Sequence, residues 1–110
     1  LFTIKKRATF VHVRDHGVFI RSNNLNVQKL INQNLDNKIG VGYTATKKIG
    51  NAVSRNRAKR RMRSLIGKFI KEEVTCFDNK SSYVLVAKSS LNKALFINLY
   101  SEMQQCLSKL

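Results

Sequence analysis

Ile39-Gly40-Val41-Gly42-Tyr43-Thr44-Ala45-Thr46-Lys47-Lys48-Ile49-Gly50-Asn51-Ala52-Val53-Ser54-Arg55-Asn56-Arg57-Ala58-Lys59-Arg60-Arg61-Met62-Arg63 changes its hydrophobic period once, and that change sets the fold. Ile39, Val41, Tyr43 and Ala45 alternate with Gly40, Gly42, Thr44 and Thr46, which is the period of a strand. The Gly/Thr face is small and lets another element or a ligand approach the backbone. After Gly50 the period lengthens. Ala58, Met62, Leu65, Ile66, Phe69 and Ile70 recur at helical spacing and predict a helix from about Ala52 to Glu72 with this stripe buried. Gly67 costs that helix about 1 kcal/mol relative to Ala without breaking it. Tyr83-Val84-Leu85-Val86-Ala87 is apolar on both sides and reads as a central strand. Strand, helix and strand make a β-α-β unit, hence a parallel pair.

Working outward, Phe10, Val13 and Arg14 share one face of a short helix over about Ala8 to His16, with Gly17 suited to a left-handed C-terminal position. Val18–Arg21 and Leu25–Ile31 read as strands around the turn Ser22-Asn23-Asn24. Asn32 to Lys38 reads as a polar loop, and Asp78 to Ser82 as a turn. Leu95, Phe96, Leu99, Tyr100, Met103, Cys106 and Leu107 form the stripe of a last helix within Leu91–Leu110, with Ser90 or Asn92 as its cap. The expected fold is α+β: a single four-stranded sheet with three helices in the order αβββαβα, one domain over residues 1–110.

Charge narrows the function. The 110 residues carry 21 Lys and Arg against 6 Asp and Glu, a net charge of +15. Six of those cations fall between Arg55 and Arg63 with no acid among them. Arg55, Lys59 and Arg63 form a like-charged i,i+4 row, which destabilises a helix unless a polyanion meets it. Solvated helix faces normally mix signs. Arg57 and Arg60 can each grip a phosphate with two hydrogen bonds, and Asn56 can bond a sugar or base edge. Gly50-Asn51 sits where unpaired helix amides favour an anion, flanked by Lys47 and Lys48; an ordinary strand-to-helix turn accounts for it equally well. Lys5, Lys6, Arg7 and Arg14 surround Phe10, which is either core or a stacking platform for single-stranded nucleic acid.

Catalysis by the protein finds little support. Asp15, Asp36, Glu72, Glu73, Asp78 and Glu102 are scattered, and adjacent Glu72 and Glu73 point about 100° apart on a helix. His12 and His16 share a face but lack a third ligand. Cys76 and Cys106 have no metal spacing and read as packing residues rather than a disulfide. No apolar run is long enough to span a bilayer. Leu1 to Arg7 is not followed by the apolar region of a secretory signal, so a cytoplasmic location is expected. The absence of an initiator Met points to a start inside a longer gene product.

The run from Gly42 to Arg63 resembles the signature of the bacterial ribonuclease P protein component: a strand, Lys-Lys-hydrophobic-Gly-Asn-Ala-Val, then Arg-Asn-Arg-x-Lys-Arg-x-x-Arg. Ile4-Lys5-Lys6, Phe10, Val13 and Gly17 are similar to that family's first helix, and Tyr83 to Ala87 to its last strand. The resemblance implies a left-handed β-α-β crossover, where general chirality predicts a right-handed one. It implies a protein subunit that binds a catalytic RNA and the single-stranded 5′ leader of precursor tRNA, and so promotes cleavage at the mature 5′ end. The cofactors implied are the catalytic RNA subunit and magnesium held mainly by that RNA, with no membrane or obligatory protein partner.

By position, Lys47, Lys48, Asn51, Arg55, Asn56, Arg57, Lys59, Arg60 and Arg63 would face the catalytic RNA. Lys6, Phe10, Arg14 and Gln28 would receive the leader in a cleft between the first helix and the sheet. Arg14 and Gln28 stand where family members often carry aromatics, implying a grip more by charge than by stacking. Two other readings remain: a structural RNA-binding protein such as one of the ribosome, and a membrane-surface binder using the basic amphipathic helix.

Overall fold

The computed structural model describes residues 2–31, 39–72, 77–78 and 80–110. The expected loop from Asn32 to Lys38, together with Glu73 and Cys76, lies outside these residues. The elements are β1 (Phe2–Thr3), α1 (Arg7–His16), β2 (Val18–Arg21), β3 (Leu25–Leu30), β4 (Gly40–Thr44), α2 (Ala52–Lys71), β5 (Ser82–Ala87) and α3 (Phe96–Lys109). Three helices and four principal strands follow the expected order. The addition is β1, a two-residue edge that pairs parallel with β4.

The sheet order is β1-β4-β5-β3-β2. β4 and β5 are parallel neighbours joined through α2, while β3 pairs antiparallel with both β5 and β2. β5 is therefore central, as its two-sided apolar pattern requires. Alternation along β3 sends Leu25, Val27 and Lys29 to one face and Asn26, Gln28 and Leu30 to the other.

On the first face, Leu25, Val27, Val41, Tyr83 and Leu85 pack with Ala58, Met62, Leu65, Ile66 and Phe69 of α2 and Leu99, Met103, Cys106 and Leu107 of α3. Phe69 stacks on Tyr100 with ring centroids 4.4 Å apart. α1 covers the opposite face, burying Val13. The result is three layers: α1, sheet, α2 with α3.

Several local expectations are corrected. Gly17 is extended, with φ −87°, rather than left-handed. It is small because a Cβ there would lie 2.5 Å from the Val13 carbonyl oxygen and 2.6 Å from that of Lys29. Ile70 is 43% exposed and lies off the α2 stripe, in the last turn of the helix. The last helix does not start at a Ser90 or Asn92 cap. Leu91–Lys93 form a separate 3₁₀ turn, and α3 begins after Leu95, which is 67% exposed. Asn92 instead donates to the Ser54 carbonyl at 2.9 Å, and Ser90 Oγ bonds Asn24 Oδ1 at 2.7 Å.

Candidate RNA interface

The strand-to-helix junction gives each motif residue a separate task. Lys47–Ile49 form a 3₁₀ turn with both lysines exposed, while Ile49 packs against the core. Gly50 has φ +135°, a conformation L side chains avoid. Asn51 then caps α2, its side chain accepting from the Ser54 N–H at 2.9 Å. The first amides of α2 thus open between Lys47 and Lys48 on one side and a basic helix on the other. Of the two readings of Gly50-Asn51, the backbone shows the strand-to-helix turn, with a positive φ at Gly50 and Asn51 taking the Ser54 amide.

Burying Ala58, Met62, Leu65, Ile66 and Phe69 forces the rest of α2 outward. Asn56, Arg57, Arg60 and Arg63 are exposed, and Arg55 and Lys59 are half-buried. Arg61 is not part of that surface: its guanidinium donates to the carbonyls of Leu91 and Ala94 and ties α2 to the 3₁₀ turn before α3. Lys29 is also withdrawn. It is 4% exposed, paired with Asp78, and hydrogen-bonded to the Leu110 carbonyl at 3.3 Å.

A cleft of about 780 Å³ runs between α1, the sheet and α2, lined among others by Lys5, Arg7, Phe10, Arg14, Gln28 and Tyr43. Its floor is apolar, from Val84 and Val86, and its rim is basic. Phe10 and the Gly/Thr face of β4 explain one another. A Cβ on Gly42 would meet the Phe10 ring at 2.6 Å, so glycine there lets the ring lie against the strand. Phe10 is half-buried and still lines the cleft, so it packs on the strand and forms part of the cleft wall.

Three of the four leader residues named from sequence, Phe10, Arg14 and Gln28, meet in this cleft. Lys6 does not line it. It occupies the N-cap position of α1 and is exposed, while its neighbours Lys5 and Arg7 line the cleft instead. Lys59 and Arg63, assigned from sequence to the catalytic RNA, stand on the cleft's α2 wall. The Arg63 guanidinium sits 5.5 Å from the centre of the Tyr43 ring. Burial pushes the Tyr43 hydroxyl pKa up, with Arg63 pulling it the other way. Tyr43 was missed as a site residue because its alternation marks it only as core. Its place at the end of β4, where β1 no longer covers the strand, is what opens it to the cleft.

Lys47 and Lys48 line a second groove with Asn26, Lys88 and Ser89, and it shares Thr46 and Val86 with the first. Arg14 forms an exposed ion pair with its neighbour Asp15 at 3.1 Å. The rings of His12 and His16 are 4.7 Å apart and exposed. Among the described residues no three His, Cys, Asp or Glu side chains are placed to hold a metal ion. Cys106 is a free, buried thiol, and burial raises its pKa, which suits a packing residue. Among the described residues no helix is long and apolar enough to cross a membrane.

The sequence model described as Ribonuclease P matches residues 2–110. The Ribonuclease P protein component of Gluconacetobacter diazotrophicus is 34% identical over 106 residues, covering 96% of this chain and 88% of that protein. That of Syntrophus aciditrophicus is 31% identical, covering 96% and 84%. The solved structure of the Staphylococcus aureus RNase P protein superposes with a TM-score of 0.79 at 21% identity, covering 99% of this chain and 94% of that one. With the fold, the Lys-Lys-Ile-Gly-Asn junction and near end-to-end similarity in agreement, the chain belongs to the ribonuclease P protein component family.

Proposed function

We propose that this protein holds the catalytic RNA of ribonuclease P through α2 and its lead-in, and guides the 5′ leader of precursor tRNA through the cleft under α1. The observation that carries this reading is the partition of α2. Its apolar stripe is used in the core, so its unneutralised cations need an external polyanion. The same partition disfavours a membrane-surface role, which would need that stripe for lipid. Family membership replaces the ribosomal alternative.

Lys47, Lys48, Asn51, Arg55, Asn56, Arg57 and Arg60 bind the RNA subunit. Lys59 and Arg63 stand where that RNA and the leader meet. Phe10 stacks a leader base, Arg14 meets phosphate and Gln28 bonds a base edge, with Lys6 near the entrance. Phosphodiester cleavage takes place on the RNA, which would hold most of the magnesium. The protein binds, orients and neutralises, and it works where its RNA is made, in the cytoplasm.

Reconstitution with the matching catalytic RNA at low magnesium is the test. The protein is expected to stimulate maturation of the tRNA 5′ end, and an absence of stimulation would overturn the assignment.

A further inference from the structure

The cleft ends at Gln28, but the sheet face that floors it does not. Strand registers align Gly42 with Val84, Val84 with Gln28, and Gln28 with Phe19. A second row aligns Thr44, Val86, Asn26 and Arg21. Residues directly opposite in a sheet share a face, so Phe19 and Arg21 on β2 continue the surface on which Gln28 and Val84 line the cleft.

Phe19 is 46% exposed, and the Arg21 guanidinium lies 5.2 Å from its ring centre. β2 is the sheet edge. Edge strands are ordinarily protected by charge, which accounts for Arg21 but not for a half-exposed phenylalanine beside it. Adjacent strands lie about 4.8 Å apart, so Phe19 is the next step beyond Gln28 along the cleft.

We infer that Phe19 and Arg21 form a second stacking subsite for single-stranded RNA, receiving leader nucleotides that extend past the cleft. The inference rests on the leader assignment made above. The α2 end of the cleft adjoins the face assigned to the catalytic RNA, so the cleavage junction lies there. The β2 end then takes nucleotides farther upstream. A base stacks on the open part of the Phe19 ring, and Arg21, held against that ring, supplies the charge for the adjoining phosphate. The ordered turn that follows β2 keeps the pair in place: Lys88 Nζ donates to the Ser22 carbonyl at 2.6 Å, and Glu102 accepts from the Asn24 N–H at 2.6 Å.

The test uses the holoenzyme reconstituted with its catalytic RNA and a series of precursors whose leaders lengthen one nucleotide at a time. Wild-type affinity should rise in an early step, assigned to the cleft, and again in a later one. Phe19→Ala should lose the later step, about five-fold or more in affinity, and Phe19→Trp should restore it. Arg21→Gln should shrink the same step and reduce its salt dependence. Phe10→Ala should remove the early step. A later step that survives in Phe19→Ala overturns the subsite while leaving the cleft assignment standing. Loss of neither step in Phe10→Ala and Phe19→Ala overturns both. Phe19 is on an exposed edge, and an unchanged thermal midpoint of the variant confirms that binding rather than folding is read.

Discussion

The carboxylate of Glu102 is buried in α3, where it accepts from the Asn24 and Leu25 backbone amides and the Asn24 side chain. Burial alone would raise its pKa. The hydrogen bonds from Ser22, Asn24 and Leu25 outweigh that and leave it lowered. A lowered folded-state value means the carboxylate stabilises the fold above its unfolded pKa, and that contribution disappears as pH falls through the folded one. Thermal stability should therefore drop on acidification below about pH 4.3, the ordinary Glu value. Glu102→Gln should flatten that drop while costing about 1–3 kcal/mol at neutral pH, as read by denaturant unfolding.

Neighbouring arginines of α2 should separate just as cleanly. Arg57→Ala should leave the unfolding midpoint nearly unchanged and lower the salt slope of RNA binding by about one unit. Arg61→Ala strands two carbonyls and should cost about 2 kcal/mol of stability with little change in that slope. An unchanged slope for Arg57→Ala would remove it from the phosphate contacts.

At the scale of elements, α2 carries an avoidable weakness. Gly67 is exposed, and a Cβ there meets nothing within 4 Å. Gly67→Ala should stabilise the protein by about 0.5–1 kcal/mol, seen as a rise of a few degrees in thermal midpoint. The elements themselves were legible because period survives in sequence: β4 and β5 read directly, and α2 ends within a residue of expectation. What was not legible depends on tertiary contact. Gly17 looks like a helix terminator until the Lys29 carbonyl is seen against it. Ser90 and Asn92 look like caps until Asn24 and Ser54 claim their side chains. Lys59 looks like part of one RNA-facing row until the cleft wraps around the end of β4. Arg61, identical in type to its neighbours, is distinguished only by the carbonyls of Leu91 and Ala94.

For the molecule as a whole, a net charge of +15 gives salt two opposite effects. Screening relieves self-repulsion among the exposed cations and should stabilise the free protein. The same salt weakens RNA binding steeply, since each phosphate contact releases counterions. Between low and moderate salt, the thermal midpoint of the free protein should rise while that of its RNA complex falls. Parallel shifts would contradict an electrostatic complex.

The central position of β5 has a consequence for the order of synthesis. β3 and β4 are not neighbours; the strand between them is Ser82–Ala87. A nascent chain that has exposed only the residues before Ser82 can close the β2–β3 hairpin and wind α2, but has nothing to join β4 to that hairpin. The basic helix therefore leaves the ribosome before the layer that buries its apolar stripe exists. For that interval it is both the most RNA-attractive and the least protected part of the chain, and long-range pairing of this kind is slow. Stalled chains ending before Ser82 should remain protease-sensitive, and chains that expose β5 and α3 should become resistant.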